Sequence, residues 1–231
     1  MFKPALLSLV FALSATASEA ADITVQVQNL TRGTHFAPLM IAAHADTTKS
    51  FTVGNPASAN LQKMAEGGDI SGLVADMSSA GAVVSANPAN GLLAPGAVAS
   101  ATLMTTASQS RLSVLGMMVP TNDGFIALNA MMLPTTPGTY SYDVNAYDAG
   151  TEANDEIRGG GAPGVRGMPV PGPLDAMLGK GGTGIDATAE GFVHIHRGVI
   201  GDSDANGGKS DLEAGRHRWL NPVARVTVIV K

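Results

Sequence analysis

From residue 22 onward the chain is a succession of short strand-like runs broken by turn residues, with few stretches where a helix could form. Residues 22–31 alternate apolar and polar through Ile23, Val25 and Val27, as a half-buried strand does. Residues 36–43 are apolar without alternation, which suits a strand buried on both faces. Residues 97–106 and 111–119 follow, and the polar link Ala107-Ser108-Gln109-Ser110 between them predicts a hairpin. Residues 125–133 and 139–147 flank Pro134-Thr135-Thr136-Pro137-Gly138, a second hairpin signal. Residues 191–197 and 223–230 complete the set, the last with Val226, Val228 and Val230 on one face. Only 60–66 and 70–77, rich in Ala, Leu and Met and separated by Gly67-Gly68, read as short helices. The pattern predicts an all-β fold: an antiparallel β-sandwich with one or two short helices and long Gly/Pro-rich loops.

The first twenty residues have a different character. Lys3 precedes the apolar run 5–13, too short to span a bilayer comfortably, and small residues follow. This is the form of a secretory signal peptide over 1–20, with cleavage expected between residues 17 and 21. The remainder, 21–231, is about 210 residues and reads as a single domain. The expectation is a secreted chain, destined for periplasm, cell surface or medium, with no transmembrane segment after leader removal. Its net charge of -5 gives no electrostatic footprint for nucleic acid. With no cysteine, the exported fold cannot be stapled by disulfides. Residues 158–184, containing Gly159-Gly160-Gly161 and Pro169-Val170-Pro171-Gly172-Pro173, are expected to form a long flexible loop.

Acidic residues gather at the predicted strand ends. Asp148 and Glu152 flank a Gly-containing turn after residues 139–147, and Asp123 lies in the turn before 125–133. Carboxylates brought together on loops repel one another unless a hard cation such as calcium neutralises them. A second stretch, 202–213, fits the spacing of an EF-hand loop: Asp202, Asp204 and Asn206 at the first ligand positions, Gly207 at the turn, Gly208 offering its carbonyl, Glu213 as the bidentate clamp. A strand-like segment precedes it where a helix belongs, so a solvated Asp/Gly-rich insertion competes with an isolated calcium loop. His194 and His196, two apart on a predicted strand, point to one face and can bind zinc or copper if a third ligand joins them. No nucleophile elbow, zinc-protease helix or phosphate loop is present. The reading is therefore of a non-enzyme.

Several ordered motifs carry a resemblance. Asp148-Ala149-Gly150-Thr151-Glu152 resembles the Asp-Ala-Gly-Thr-Asp motif of spondin N-terminal domains, and Thr121-Asn122-Asp123-Gly124-Phe125 falls where that family has Ser-Pro-Asp-Trp. Residues 190–196 and 218–226 look like the closing segments of bacterial spondin-domain proteins. The resemblance implies a C2-like sandwich with calcium held at one end by Asp123, Asp148 and Glu152: one ion, or two if the 202–213 loop binds its own. Glu152 is one methylene longer than the family's Asp, and the Asn122 turn lacks Pro and Trp, so a looser turn is expected. The function implied is a secreted calcium-binding module for extracellular interaction or adhesion, with a protein or a surface glycan or matrix as partner. Two alternatives stand beside it: an exported metal-dependent hydrolase using His194, His196 and a carboxylate, and a purely structural envelope or matrix protein.

Overall fold

The computed structural model describes residues 21–231; the expected leader lies outside the described residues. Its framework is a sheet in which β4 (Val83–Ala86), β3 (Met40–His44), β6 (Arg111–Val119), β7 (Gly124–Met132), β8 (Gly138–Asp148), β12 (Ala224–Val230), β1 (Ala21–Asn29) and β5 (Val98–Thr105) lie side by side in that order. Every pairing along this path is antiparallel. β2 (His35–Phe36) adds to β6, and β11 (His194–Ile195) adds to the end of β8.

The two halves of this sheet part between β7 and β8. These strands pair only from Gly124 with Asp148 to Ala127 with Asn145. Beyond that point β7 stays with β6, while Gly138 to Val144 of β8 pair with β12. The halves then close on each other like a sandwich. Ile41, Val114 and Ile126 from one half meet Val25, Leu103, Val226 and Val228 from the other in one apolar core. β4 comes close to β5, so the sheet is nearly a closed barrel.

A second core lies on the outer face of β3, β6 and β7. There Met40, Ala42, Leu115, Met117 and Phe125 are covered by Leu61, Met64, Leu73 and Met77. These last come from α1 (Ala59–Gly67) and α2 (Ser71–Ser79), the two helices expected from composition. Ser58 caps α1, its Oγ accepting Leu61 N–H at 3.2 Å, and Gly68 ends it in the left-handed conformation. Burial on both sides explains why β3 and β6 are apolar without alternation. β5 alternates strictly because one of its faces is open to solvent.

That difference overturns the first expected hairpin. The link 107–110 does form a turn, with Gln109 N–H donating to Thr106 O at 3.1 Å. Yet β5 pairs with β1 while β6 pairs with β3 and β7, so the link crosses from one half of the sheet to the other. Polar turn residues announce a reversal but not its partner. The run 36–43 is also split, into β2 and β3, and the strand expected over 191–197 shortens to β11. The segment 158–184 carries β9 (Arg158–Gly159) paired in parallel with β10 (Met168–Pro169), then a 3-10 helix, Gly172–Met177. The Arg158 guanidinium holds its far end, donating to Gly179 O and to Asp175 Oδ1, each at 2.6 Å.

Candidate metal centre

Asp148 is the last residue of β8, at the end where β7 and β8 are paired, and it is flanked on both sides by backbone. Gly124 of β7 pairs with it on one side and His194 of β11 on the other. Strand parity puts its side chain on the face of Val144 and Ala146, at the end of the inter-sheet core. Directly opposed residues share a face, so His194 presents its ring to Asp148. His196, two residues on, does the same from beside Ala146, whose carbonyl accepts His196 N–H at 3.1 Å. Asp123 reaches the same place from the β6–β7 turn, where its carbonyl accepts Ala149 N–H at 3.2 Å.

Asp123 and Asp148 are fully buried. Asp123 Oδ2 accepts Thr151 N–H at 2.7 Å and Glu152 N–H at 3.1 Å, so the 148–152 turn wraps around it. Its other oxygen, Oδ1, is buried with no hydrogen-bond donor. Burial pushes the Asp123 carboxyl up to about 8, and the charge of Asp148 adds to the rise. Asp148 is raised as well, first by burial and then by the charge of Glu190. It is partly compensated: Oδ1 accepts Gly150 N–H at 2.8 Å and Oδ2 accepts Asn154 Nδ2–H at 2.7 Å. Two buried carboxylates side by side, one with a bare oxygen, make a site that favours a cation.

Glu152 takes a different direction. Its Oε1 accepts Asn122 Nδ2–H at 3.0 Å and a short hydrogen bond from Gly167 N–H. Burial raises its carboxyl too, but the charges that add to the rise are Glu66 and Asp155, not Asp123 or Asp148. The structure thus brings Asp123 beside Asp148 and turns Oε1 of Glu152 toward the neighbouring loop. The longer side chain is what lets it reach Gly167. Asn122 is not loose in its turn: it is buried, also donates to Asp155 Oδ1 at 2.8 Å, and its Oδ1 accepts Glu156 N–H at 3.1 Å.

The two histidines differ in chemistry. His194 Nδ1 lies 2.9 Å from Ile195 O. A carbonyl only accepts, so Nδ1 carries the proton and a neutral ring presents its Nε2 lone pair. That Nε2 is 3.6 Å from Asp148 Oδ1 and 3.7 Å from Glu190 Oε1. His196 is the reverse. Its Nδ1 accepts Gly198 N–H at 2.9 Å, which leaves the proton of the neutral ring on Nε2, 3.9 Å from Asp148 Oδ2. Burial drives the His196 ring down to about 3, so it stays neutral, packed against Trp219 with ring centroids 5.0 Å apart. Sequence reading missed Glu190. Its only signal was its place four residues before His194.

In the 202–213 loop Asp202, Asp204, Gly208 and Glu213 are already engaged with protein. Asp202 Oδ2 accepts Lys209 and Ser210 N–H at 2.7 and 2.9 Å, and Asp202 Oδ1 accepts Asp204 N–H at 2.9 Å. These backbone donors depress the Asp202 carboxyl. Asp204 Oδ1 accepts Asn206 N–H at 3.0 Å, Gly208 O accepts Thr183 N–H at 3.2 Å, and Glu213 Oε2 faces Arg216 at 3.5 Å.

Gly150 locks the site turn against the segment bearing the histidines. It has φ +66°, and its carbonyl accepts Gly191 N–H at 2.8 Å. A Cβ there would stand 2.6 Å from Phe192 N and 2.9 Å from Phe192 C. Gly150→Ala is expected to cost about 3 kcal/mol, from the left-handed backbone plus the displaced strand. Urea unfolding measures it, and a variant as stable as the parent would show that this contact is not fixed.

A family model described as Spondin_N matches residues 27–156, more than half of the chain. The match takes in Asp123, Asp148 and Glu152 and stops before Glu190 and His194. No curated protein matches the chain.

Proposed function

Since this chain belongs to the spondin N-terminal domain family, we propose that it is a secreted, spondin-like extracellular module that binds calcium and serves interaction or adhesion. The observation that carries the calcium reading is Asp123 Oδ1, buried and without a donor beside the buried carboxylate of Asp148. A calcium ion is bound by hard oxygens at ~2.3–2.6 Å and tolerates irregular, mixed coordination. Asp123 and Asp148 supply two such groups; Oε1 of Glu152 is held by Asn122 and Gly167 N–H, so Glu152 joins them only through Oε2. The ion offsets their mutual repulsion and ties the 120–124 and 148–152 turns together at one end of the sandwich. That rigid end is the surface offered to a protein, glycan or matrix partner. Among the described residues no helix is long and apolar enough to cross a membrane.

Calcium at about a hundred times its dissociation constant is expected to add ~2.7 kcal/mol to stability. For a domain of this size that is a rise in melting temperature of about 5–10 °C. Asp148→Ala removes the rise. Identical melting curves with calcium and with chelator would falsify the calcium reading.

A further inference from the structure

We propose that Glu190 and His194, with Asp148, form a second metal position, one that takes a borderline divalent cation such as zinc. It shares only Asp148 with the calcium set and uses a nitrogen donor that calcium does not favour. Among the described residues, Asp148, Glu190 and His194 each offer a ligand atom, and these atoms all lie within 4.8 Å of one another.

The atoms that face each other are all acceptors. His194 Nε2 is a lone pair because its proton is held on Nδ1 by Ile195 O, the arrangement that fixes the tautomer of metal-bound histidines. Opposite it stand Asp148 Oδ1 at 3.6 Å and Glu190 Oε1 at 3.7 Å. Neither separation is a hydrogen bond. Two ligands on a tetrahedral zinc, each at ~2.0–2.1 Å from the metal, stand about 3.3–3.4 Å apart. The two separations from His194 exceed that by a few tenths of an ångström, so an ion is accommodated with a small movement of the side chains. Glu190 Oε2 and His194 Nε2 are themselves buried without hydrogen-bond partners.

An independent observation points the same way. The His196 side chain is 3% exposed, its Nε2 has no partner, and that nitrogen is aimed at Asp148 Oδ2 from 3.9 Å. Because Nδ1 accepts from Gly198, Nε2–H is a donor. It faces the Asp148 carboxylate without a hydrogen bond to it and, as a donor, does not itself ligate. His194 and Glu190 remain about a quarter exposed, which leaves a path for the ion and a position for water or a substrate oxygen.

The test is calorimetric titration of chelator-stripped mature protein with zinc chloride at neutral pH, repeated with cobalt(II) to read coordination from its visible absorption. One equivalent of zinc is expected. His194→Ala should weaken it about 100-fold and Glu190→Gln about 10-fold or more. Both variants should keep the calcium-induced rise in melting temperature, which also shows that they fold. A wild-type protein that takes no zinc overturns the proposal, as does undiminished zinc affinity in both variants. A zinc response that depends on His194 in a protein indifferent to calcium would sink the calcium reading and leave this one standing.

Discussion

Glu156→Ala is expected to lower the stability of the protein by about 3–5 kcal/mol, the range for stripping the partner from several buried donors at once. Glu156 is buried, has φ +57°, and draws three distant segments together. Its Oε1 accepts Ile200 N–H at 2.6 Å; its Oε2 accepts Gly201 N–H at 2.8 Å and Ser210 Oγ–H at 2.6 Å. Its own N–H donates to Asn122, next to Asp123. Alanine leaves those three donors, two buried and that of Ile200 partly so, without their acceptor and keeps the unfavourable backbone angle. Glu156→Gln, which retains an acceptor oxygen, should lose less. Guanidinium denaturation reads both, and a loss under about 1 kcal/mol for alanine would mean that the loops hold without this residue.

Asp123→Asn is expected to act in the opposite sense on the metal-free protein. Burial and Asp148 raise the Asp123 carboxyl in the folded state to about 8, from an ordinary value of 3.8. A carboxyl raised by folding binds its proton more tightly when folded. Its contribution is fully present below about pH 4 and is lost as pH climbs through about 8. Chelator-treated protein should thus lose stability over that window, by on the order of 6 kcal/mol at most. Asparagine keeps an acceptor for Thr151 and Glu152 and offers N–H where Oδ1 faces its neighbour, so the variant should be the more stable form at pH 8 without metal. With saturating calcium the ranking reverses, because the ion replaces the proton. Stability measured against pH with chelator settles the matter: parallel profiles for parent and variant would show that Asp123 carries no such burden.

Much of the fold is legible in the chain because two kinds of strand leave different traces. β1, β5 and β12 alternate since each has a wet face; β3 and β6 do not, because helices cover their outer side. α1 and α2 are announced by Ala, Leu and Met on either side of Gly67-Gly68. Strand partners are less legible. The 107–110 link looks like any tight polar turn, and only burial of β6 on both faces explains why β5 cannot lie next to it. In the site, Asp123 and Asp148 are visible as turn acids at strand ends, and the structure sets them side by side. Glu190 is not legible as a ligand, since its one mark, a place four residues before His194, suits a solvated loop residue equally well. The direction of Glu152 Oε1 depends on Gly167, a contact made only after the 158–184 segment has folded back.

The buried carboxylates have a consequence for how the loops are held together. Asp155, Glu156 and Asp211 each bind loop backbone N–H groups, at Ile157, at Ile200 and Gly201, and at Arg158 and Gly182. The sequence has no cysteine, so none of these loops is held by a disulfide. Formation of the fold therefore involves no disulfide oxidation or exchange. A thiol reagent strong enough to unravel a cystine-knit neighbour leaves this chain's loops fastened.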